Sequence, residues 1–182
     1  MGVATTASSL DQLKRFTTVV AAVALALLPA PAPAGGRKDE PTITVSFHLQ
    51  TTPDPSRQRT FTQPTAGEQV VYRRVPEIAT RDIVAFSPFP GDDGQTYGVV
   101  FQLNEPATRR LSSISAANQG RYLLAIVNGQ VRDAVIIDRP VNDGLIVIWR
   151  WVTLQEIRLA DSLLPRIGED PKAWKERQKN KK

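Results

Sequence analysis

Polar and apolar residues alternate along several short stretches of this chain. Ile43, Val45, Phe47 and Leu49 occupy every second position, with polar residues between them. A period of two is typical of a β-strand that buries one face, so a strand is predicted over 42–51. Further predicted strands cover 69–74, 78–86, 96–103, 121–127, 130–137 and 145–152.

The most specific local signal is Asn128-Gly129, which joins the two apolar runs 121–127 and 130–137. A type I′ turn needs a positive φ at both central residues, and Asn-Gly is the pair that best provides it. The sequence therefore predicts an antiparallel hairpin. Pro140 ends the second strand, because proline has no backbone N–H for the ladder.

Two segments have the period of an amphipathic helix instead. The first begins at the predicted N-cap Asn104, carries Pro106 in its first turn and stops at Gly120. The second begins with the capping box at 153–156 and ends at Pro165. Their apolar faces comprise Ala107, Leu111, Ile114 and Ala117 or Asn118 in the first, and Leu154, Ile157, Ala160 and Leu164 in the second.

The order of these elements predicts the fold class. Locally paired strands and two helices that are apolar on one side only favour an α+β fold, with an antiparallel-rich sheet and both helices on one face. Three segments are predicted to be irregular: a polar loop over 53–67, a turn cluster over 88–94, and a charged tail over 169–182 that is disordered or a frayed helix.

The N-terminal segment has the layout of a secretory signal. Lys14-Arg15 precede an apolar run of about a dozen residues, and Ala32-Pro33-Ala34 offers small residues to a signal peptidase. The domain prediction is a signal peptide over 1–34, a linker over 35–40 and one domain over 41–168, in a periplasmic or secreted protein. The alternative is an uncleaved segment that anchors the protein to the inner membrane.

Charge and composition exclude several classes of function. Of the net +5, residues 1–34 contribute +1 and residues 169–182 contribute +3, which leaves +1 for residues 35–168. A domain that binds a phosphate backbone needs a concentrated basic face, so nucleic acid is not a predicted partner. The chain has no Cys, which excludes disulfides and thiolate metal sites.

Candidate catalytic chemistry is sparse. His48 is the one histidine and falls on the polar face of its strand, so it is interpreted as a surface residue without a catalytic or metal-binding partner. Asp92 and Asp93 lack the spaced ligands of a calcium loop and are interpreted as turn residues. A hydrolase would need a nucleophile with a base, or paired carboxylates, and neither pattern occurs. No enzyme activity, cofactor or metal is predicted.

Four matches in order along the chain carry a resemblance. The central one is GRYLLAIVNG at 120–129, flanked by Asp82-Ile83, by Val99–Phe101, and by TLQE at 153–156. Over about 41–168 the chain resembles the periplasmic head subdomain of SecD (SecDF), the accessory subunit of the bacterial Sec export machine. It departs from the family pattern at Val135, Arg150 and Val152, and the six membrane spans of SecD have no counterpart in this sequence.

The resemblance implies a SecD head-like fold and a place outside the cytoplasm. The family head is thought to contact emerging polypeptide and has no catalytic residues, so the implied function is a non-enzymatic binding module whose partner is a polypeptide or an envelope protein. The alternative is a structural component of the cell envelope with no role in export.

Trp149 and Trp151 are the candidate binding residues. They lie two positions apart on the last predicted strand, so a regular strand would place both on the same face. Two interpretations remain open: both indoles belong to the core, or both form an aromatic contact patch on the sheet face that the helices leave open.

Overall fold

A computed structural model describes residues 42–54 and 58–180. The predicted signal peptide over 1–34 and the linker over 35–40 lie outside the described residues. Among the helices of the described part, none is long and apolar enough to cross a membrane.

Nine strands and three helices follow one another along the described residues. The strands are β1 (Val45–Leu49), β2 (Thr60–Thr65), β3 (Glu68–Arg73), β4 (Ile78–Ala79), β5 (Ile83–Pro90), β6 (Tyr97–Leu103), β7 (Tyr122–Val127), β8 (Gln130–Ile136) and β9 (Leu145–Val152). The helices are α1 (Glu105–Ala117), α2 (Leu154–Leu163) and α3 (Pro171–Lys179), and one turn of 3-10 helix lies at Thr80–Asp82.

The strands form three antiparallel sheets. The largest has the order β4-β1-β7-β8, a second has the order β5-β6-β9, and β2 pairs with β3 alone. β8 and β9 are therefore edge strands of two different sheets. They lie beside each other without a backbone ladder between them in the described part of the chain.

One core lies between the sheets and the helices. α1 contributes Ala107 and Leu111, and α2 contributes Ile157 and Ala160, to the same buried cluster as Phe47. The predicted α+β class, with an antiparallel-rich sheet and helices on one side of it, is confirmed. Burial of these apolar side chains is the main stabilising term, at about 1.5–3 kcal/mol for each large one.

The face of the largest sheet opposite the helices is covered, whereas the sequence led us to expect an open face there. The β2–β3 hairpin lies on it, and Val70 and Tyr72 pack with Leu124 in a second buried cluster. Residues alternate along β7, so Leu123 enters the main core while Leu124 enters this smaller one.

Described parts of three segments that were predicted to be irregular form regular secondary structure. β2 forms within the predicted loop over 53–67, because the turn at Ala66-Gly67 has a positive φ at both residues and pairs it with β3. β5 continues through Pro90, and its edge position tolerates prolines. The described part of the tail forms α3, capped by Asp170 and joined to α2 by a bond from Gln178 to the Asp161 carbonyl, so the structure shows a helix, which was one of the two predicted alternatives.

The predicted turn between β7 and β8 has the expected geometry, with φ of 49° at Asn128 and 75° at Gly129. We predict that Gly129→Val lowers the free energy of unfolding by about 1–3 kcal/mol, because a β-branched residue is strained at positive φ. Gly129→Asn is the control and should cost less, since asparagine tolerates this conformation. Thermal melts compare the variants, and equal midpoints for the valine variant and the wild type would contradict the prediction.

Candidate functional site

An exposed aromatic patch lies at the end of β9. Trp149 is 57% exposed and Trp151 is 49% exposed, so the core interpretation of these two residues is wrong. The ring of Phe89 meets that of Trp149 edge-on at 6.0 Å between centroids. The Arg150 guanidinium lies over the Trp151 ring at 4.6 Å, in cation–π geometry. We define the aromatic patch as Phe89, Trp149, Arg150 and Trp151.

A β-bulge in β9 creates this patch. Tyr97 pairs with Val152 and Val99 pairs with Ile148, so Gly98 alone faces the three residues 149–151. Trp151 has a φ of 64°, a conformation that non-glycine residues rarely adopt. The alternation of side chains breaks there, and the expectation that a regular strand would place the two indoles on one face does not apply.

Gly98 is required by the close packing at the bulge. A Cβ on this residue would lie 2.1 Å from the Phe89 ring and 2.7 Å from the carbonyl oxygen of Trp149. Real side chains never approach so closely, so the absence of a side chain lets the Phe89 ring cover the strand. A glycine inside an alternating strand pattern indicates a bulge, and this was the sequence signal for the irregularity.

The turn between β5 and β6 braces the bulge. Asp93 accepts hydrogen bonds from the backbone N–H groups of Gln95 and Thr96 and from the Thr96 hydroxyl, and these bonds hold the pKa of its carboxyl below the ordinary value. Thr96 Oγ1 in turn accepts from the Trp151 N–H at 3.2 Å. Asp93 is thus a turn residue, as interpreted from the sequence.

Asp133 joins the two edge strands next to the patch. This buried carboxylate accepts from the Trp149 N–H at 2.8 Å and from the Ala134 N–H at 2.9 Å. The Asp133 side chain therefore accepts the bond that a backbone carbonyl of a paired strand would accept from Trp149, and no backbone ladder joins β8 to β9 in the described residues.

The space between β8 and β9 forms a cleft with two hollows, an inner one that reaches the main core and an outer one beside Phe89. The inner hollow has a volume of about 500 Å3 and the outer one about 660 Å3. Val135, Ile136 and Trp149 line both. Ile136 is itself 50% exposed. Phe89, Trp149 and Arg150 of the aromatic patch also line the outer hollow, so this part of the patch is continuous with the cleft.

His48 is buried, contrary to its interpretation as a surface residue. The β2–β3 hairpin covers it: its ring nitrogens bond to the Arg73 carbonyl and the Ser46 hydroxyl, and its ring meets that of Phe61 edge-on. Desolvation by burial lowers the pKa of His48 below its ordinary value. The sequence could not show this, because the covering hairpin was not predicted.

We predict a loss of stability at mildly acidic pH that depends on His48. Because the folded-state pKa is lower than the unfolded-state value of about 6.5, the unfolded chain binds more protons, and the free energy of unfolding falls as the pH drops below about 6.5. Denaturation of wild type and His48→Gln at pH 7.5 and 5.5 measures this. The variant should lose less stability between the two values, and equal losses would contradict the prediction.

The described residues contain no group of three or more His, Asp or Glu side chains placed to hold a metal ion. Arg132 lies at an irregularity of β8, where the register shifts between Val131 and Asp133, and its guanidinium pairs with Glu156 at 2.7 Å. Glu156 also accepts from the N–H and the hydroxyl of Thr153, as the predicted capping box requires. This carboxylate is occupied by structural bonds.

Comparisons with known proteins give one kind of match. No protein-family model matches the chain, and no curated protein matches its sequence. The structure is similar to that of SecDF, described as a membrane component that enhances protein export, with a TM-score of 0.46 at 13% identity over 64% of this chain and 60% of that one. SecDF in a super-membrane-facing form gives a TM-score of 0.45 at 15% identity over 64% of this chain and 18% of that one.

SecD is also the family that the sequence motifs resemble. The chain spans less than two thirds of either SecDF chain, as the covered shares of 60% and 18% show. A likeness with these TM-scores assigns neither a function nor a partner to the chain.

Proposed function

We propose that this protein is a non-enzymatic, extracytoplasmic binding module that contacts polypeptide or a partner protein through the aromatic patch. The observation that carries the proposal is the exposure of Trp149 and Trp151, at 57% and 49%. Large aromatic side chains supply much of the free energy of protein interfaces, and apolar surface on a monomer often indicates a contact site.

The geometry around the patch also supports a binding role. Trp151 keeps its strained backbone because Thr96 and the bulge opposite Gly98 hold it, and strain of this kind is concentrated at functional sites. A rigid presentation of the indoles lowers the entropy lost on binding.

The first experiment asks whether the surface binds unfolded polypeptide. The probe is a fluorescent model protein, chemically reduced and alkylated so that it stays unfolded in buffer, and its folded form is the control. Fluorescence anisotropy with the full chain should give saturable binding of the unfolded form alone. Absence of binding to both forms would remove polypeptide from the proposed partners and leave an envelope protein.

The place outside the cytoplasm rests on the N-terminal pattern and is tested separately. N-terminal sequencing of the exported protein should find a mature chain that begins near Gly35, because Ala32-Pro33-Ala34 has the pattern of a cleavage site. Recovery of the uncleaved chain in the membrane fraction would favour the anchor alternative.

A further inference from the structure

We infer that an extended apolar segment of polypeptide binds in the cleft between β8 and β9 as an added β-strand. The inference rests on the proposed function, since the cleft is continuous with the aromatic patch, and it specifies how the polypeptide is held. Strand addition supplies affinity from main-chain hydrogen bonds and specificity from the pockets that receive alternate side chains.

The hydrogen-bond pattern of β9 turns the backbone groups of every second residue toward the cleft, where the N–H groups of Leu145 and Trp149 donate to Asp143 and Asp133. Leu103 donates to the Gly144 carbonyl, which fixes the residues of β9 that bond to β6. In an antiparallel ladder every second residue points the other way, so the N–H and C=O groups of Leu145, Val147 and Trp149 face away from β6. The bond from the Trp149 N–H to Asp133 agrees with this alternation. Val147 thus presents both backbone groups to the cleft.

The pattern of β8 is complementary. The Ile137 N–H donates to the Arg121 carbonyl, and the Gly120 N–H donates to the Ile137 carbonyl. Ile136 comes one position earlier, so its N–H and C=O face away from β7 and into the cleft. Ile136 and Val147 therefore provide two edges that need a backbone partner, and a second extended chain is the ligand that satisfies both.

The hollows on the two sides of the cleft select the side chains of this ligand. An added strand sends alternate side chains to opposite faces. On the inner face they would meet Phe47, Leu111 and Leu123, and on the outer face they would meet Phe89 and Trp149. Because the lining of the inner hollow is mainly apolar, and Phe89, Ile136 and Trp149 supply apolar surface to the outer one, the favoured segment has consecutive apolar residues, as a buried central strand does.

The charges around the cleft select the flanks of the segment. The lining contains four aspartates and two arginines: Asp92, Asp133, Asp138, Asp143, Arg139 and Arg150. The formal balance is negative, so a segment flanked by lysines is favoured over one flanked by glutamates. The same negative balance disfavours an acidic partner at this cleft.

The experiment compares two peptides with identical side chains. The probe is acetyl-Lys-Lys-Val-Leu-Phe-Val-Leu-Lys-Lys-amide, and its twin carries N-methyl groups on alternate backbone amides of the apolar core. N-methylation removes N–H donors and blocks one edge, so the full chain should bind the twin at least tenfold more weakly. A version with glutamate flanks should also bind more weakly than the probe.

Two protein variants test the same backbone hydrogen bonds by removing a donor from the protein instead of the peptide. Ile136→Pro removes the N–H that faces the cleft, while Ile136→Ala keeps it and removes most of the side chain. The proline variant should lose at least tenfold in affinity for the probe peptide and clearly more than the alanine variant. If Ile136→Pro lowers the melting midpoint, Val147→Pro with Val147→Ala repeats the test on the opposite edge.

The outcomes separate this inference from the proposed function. Equal binding of the two peptides, with both weakened by Trp149→Ala, would overturn strand addition and keep the aromatic patch as a contact surface. Binding of the unfolded model protein without binding of either peptide would also overturn strand addition. Failure of the peptides and the unfolded protein alike would overturn the inference together with the polypeptide part of the proposed function.

Discussion

Trp149→Ala is expected to weaken binding of unfolded polypeptide by at least tenfold while the protein stays folded. An exposed aromatic anchor contributes about 2 kcal/mol or more to an interface. Its contribution to folding is much smaller, because 57% of the residue is exposed and its described ring contact is with Phe89. The loss of that contact should cost about 1 kcal/mol of stability.

Anisotropy titrations and thermal melts of each variant check this expectation. Trp149→Phe should keep most of the affinity, since it retains an aromatic ring. Val75→Ala is the control for a generic loss of apolar surface, because Val75 is 76% exposed and does not line the cleft. A large fall in melting midpoint with unchanged affinity would show that Trp149 has a structural role and would contradict the contact surface.

Trp151→Gly sharpens the same test. The φ of 64° at Trp151 is costly for tryptophan and free of strain for glycine, so relief of strain offsets part of the lost ring contact with Arg150. We expect a melting midpoint close to that of the wild type and a loss of affinity like that of Trp149→Ala. Trp151→Ala removes the ring without relieving the strain, and it should melt below the glycine variant.

Glu156→Ala is expected to cause the largest loss of stability, about 3 kcal/mol, because it leaves the guanidinium of Arg132, whose side chain is only 19% exposed, without its partner. Glu156 is 6% exposed, and its carboxylate bonds to Arg132, to the Thr153 N–H and to the Thr153 hydroxyl. The substitution also removes the bond from the Thr153 N–H to the Glu156 carboxylate, which is one half of the capping box, while the backbone N–H of residue 156 can still donate to Thr153 Oγ1.

Chemical denaturation distinguishes the two contributions. Glu156→Gln keeps an acceptor for Thr153 and loses the charge, so it should cost less than Glu156→Ala. Arg132→Met added to Glu156→Gln removes the unpaired guanidinium and should recover part of the stability. The loss of unfolding free energy caused by Arg132→Met is measured twice, once in the wild type and once in Glu156→Gln. If the two losses are equal, the two residues act independently and the paired-charge explanation is wrong.

The local elements of this fold were determined by short-range sequence signals. Asn128-Gly129, the Asn104 cap and the box from Thr153 to Glu156 predicted their structures correctly, because each satisfies backbone groups within a few residues. The alternation along β1 and β6 also identified core positions such as Phe47 and Phe101, since residues two apart in a strand share a face.

Other features were decided by tertiary packing. The burial of His48 depends on the β2–β3 hairpin, which covers a face of β1 and β7 that its polar residues do not identify as buried. Pro88 and Pro90 look like turn residues by composition, but the edge position of β5 accommodates them. Neither result follows from neighbours in the sequence.

The candidate site shows the same division. The sequence identified Trp149 and Trp151 as a pair, and by itself it favoured the core slightly over the surface, because a large indole is usually highly buried. The bulge opposite Gly98 decided the question by taking residues 149–151 out of the strand pattern. The cleft beside them lies between β8 and β9, which are edge strands of two different sheets. The Asp133 side chain, rather than a backbone ladder, joins these strands, and the sequence does not show which sheet edges lie side by side.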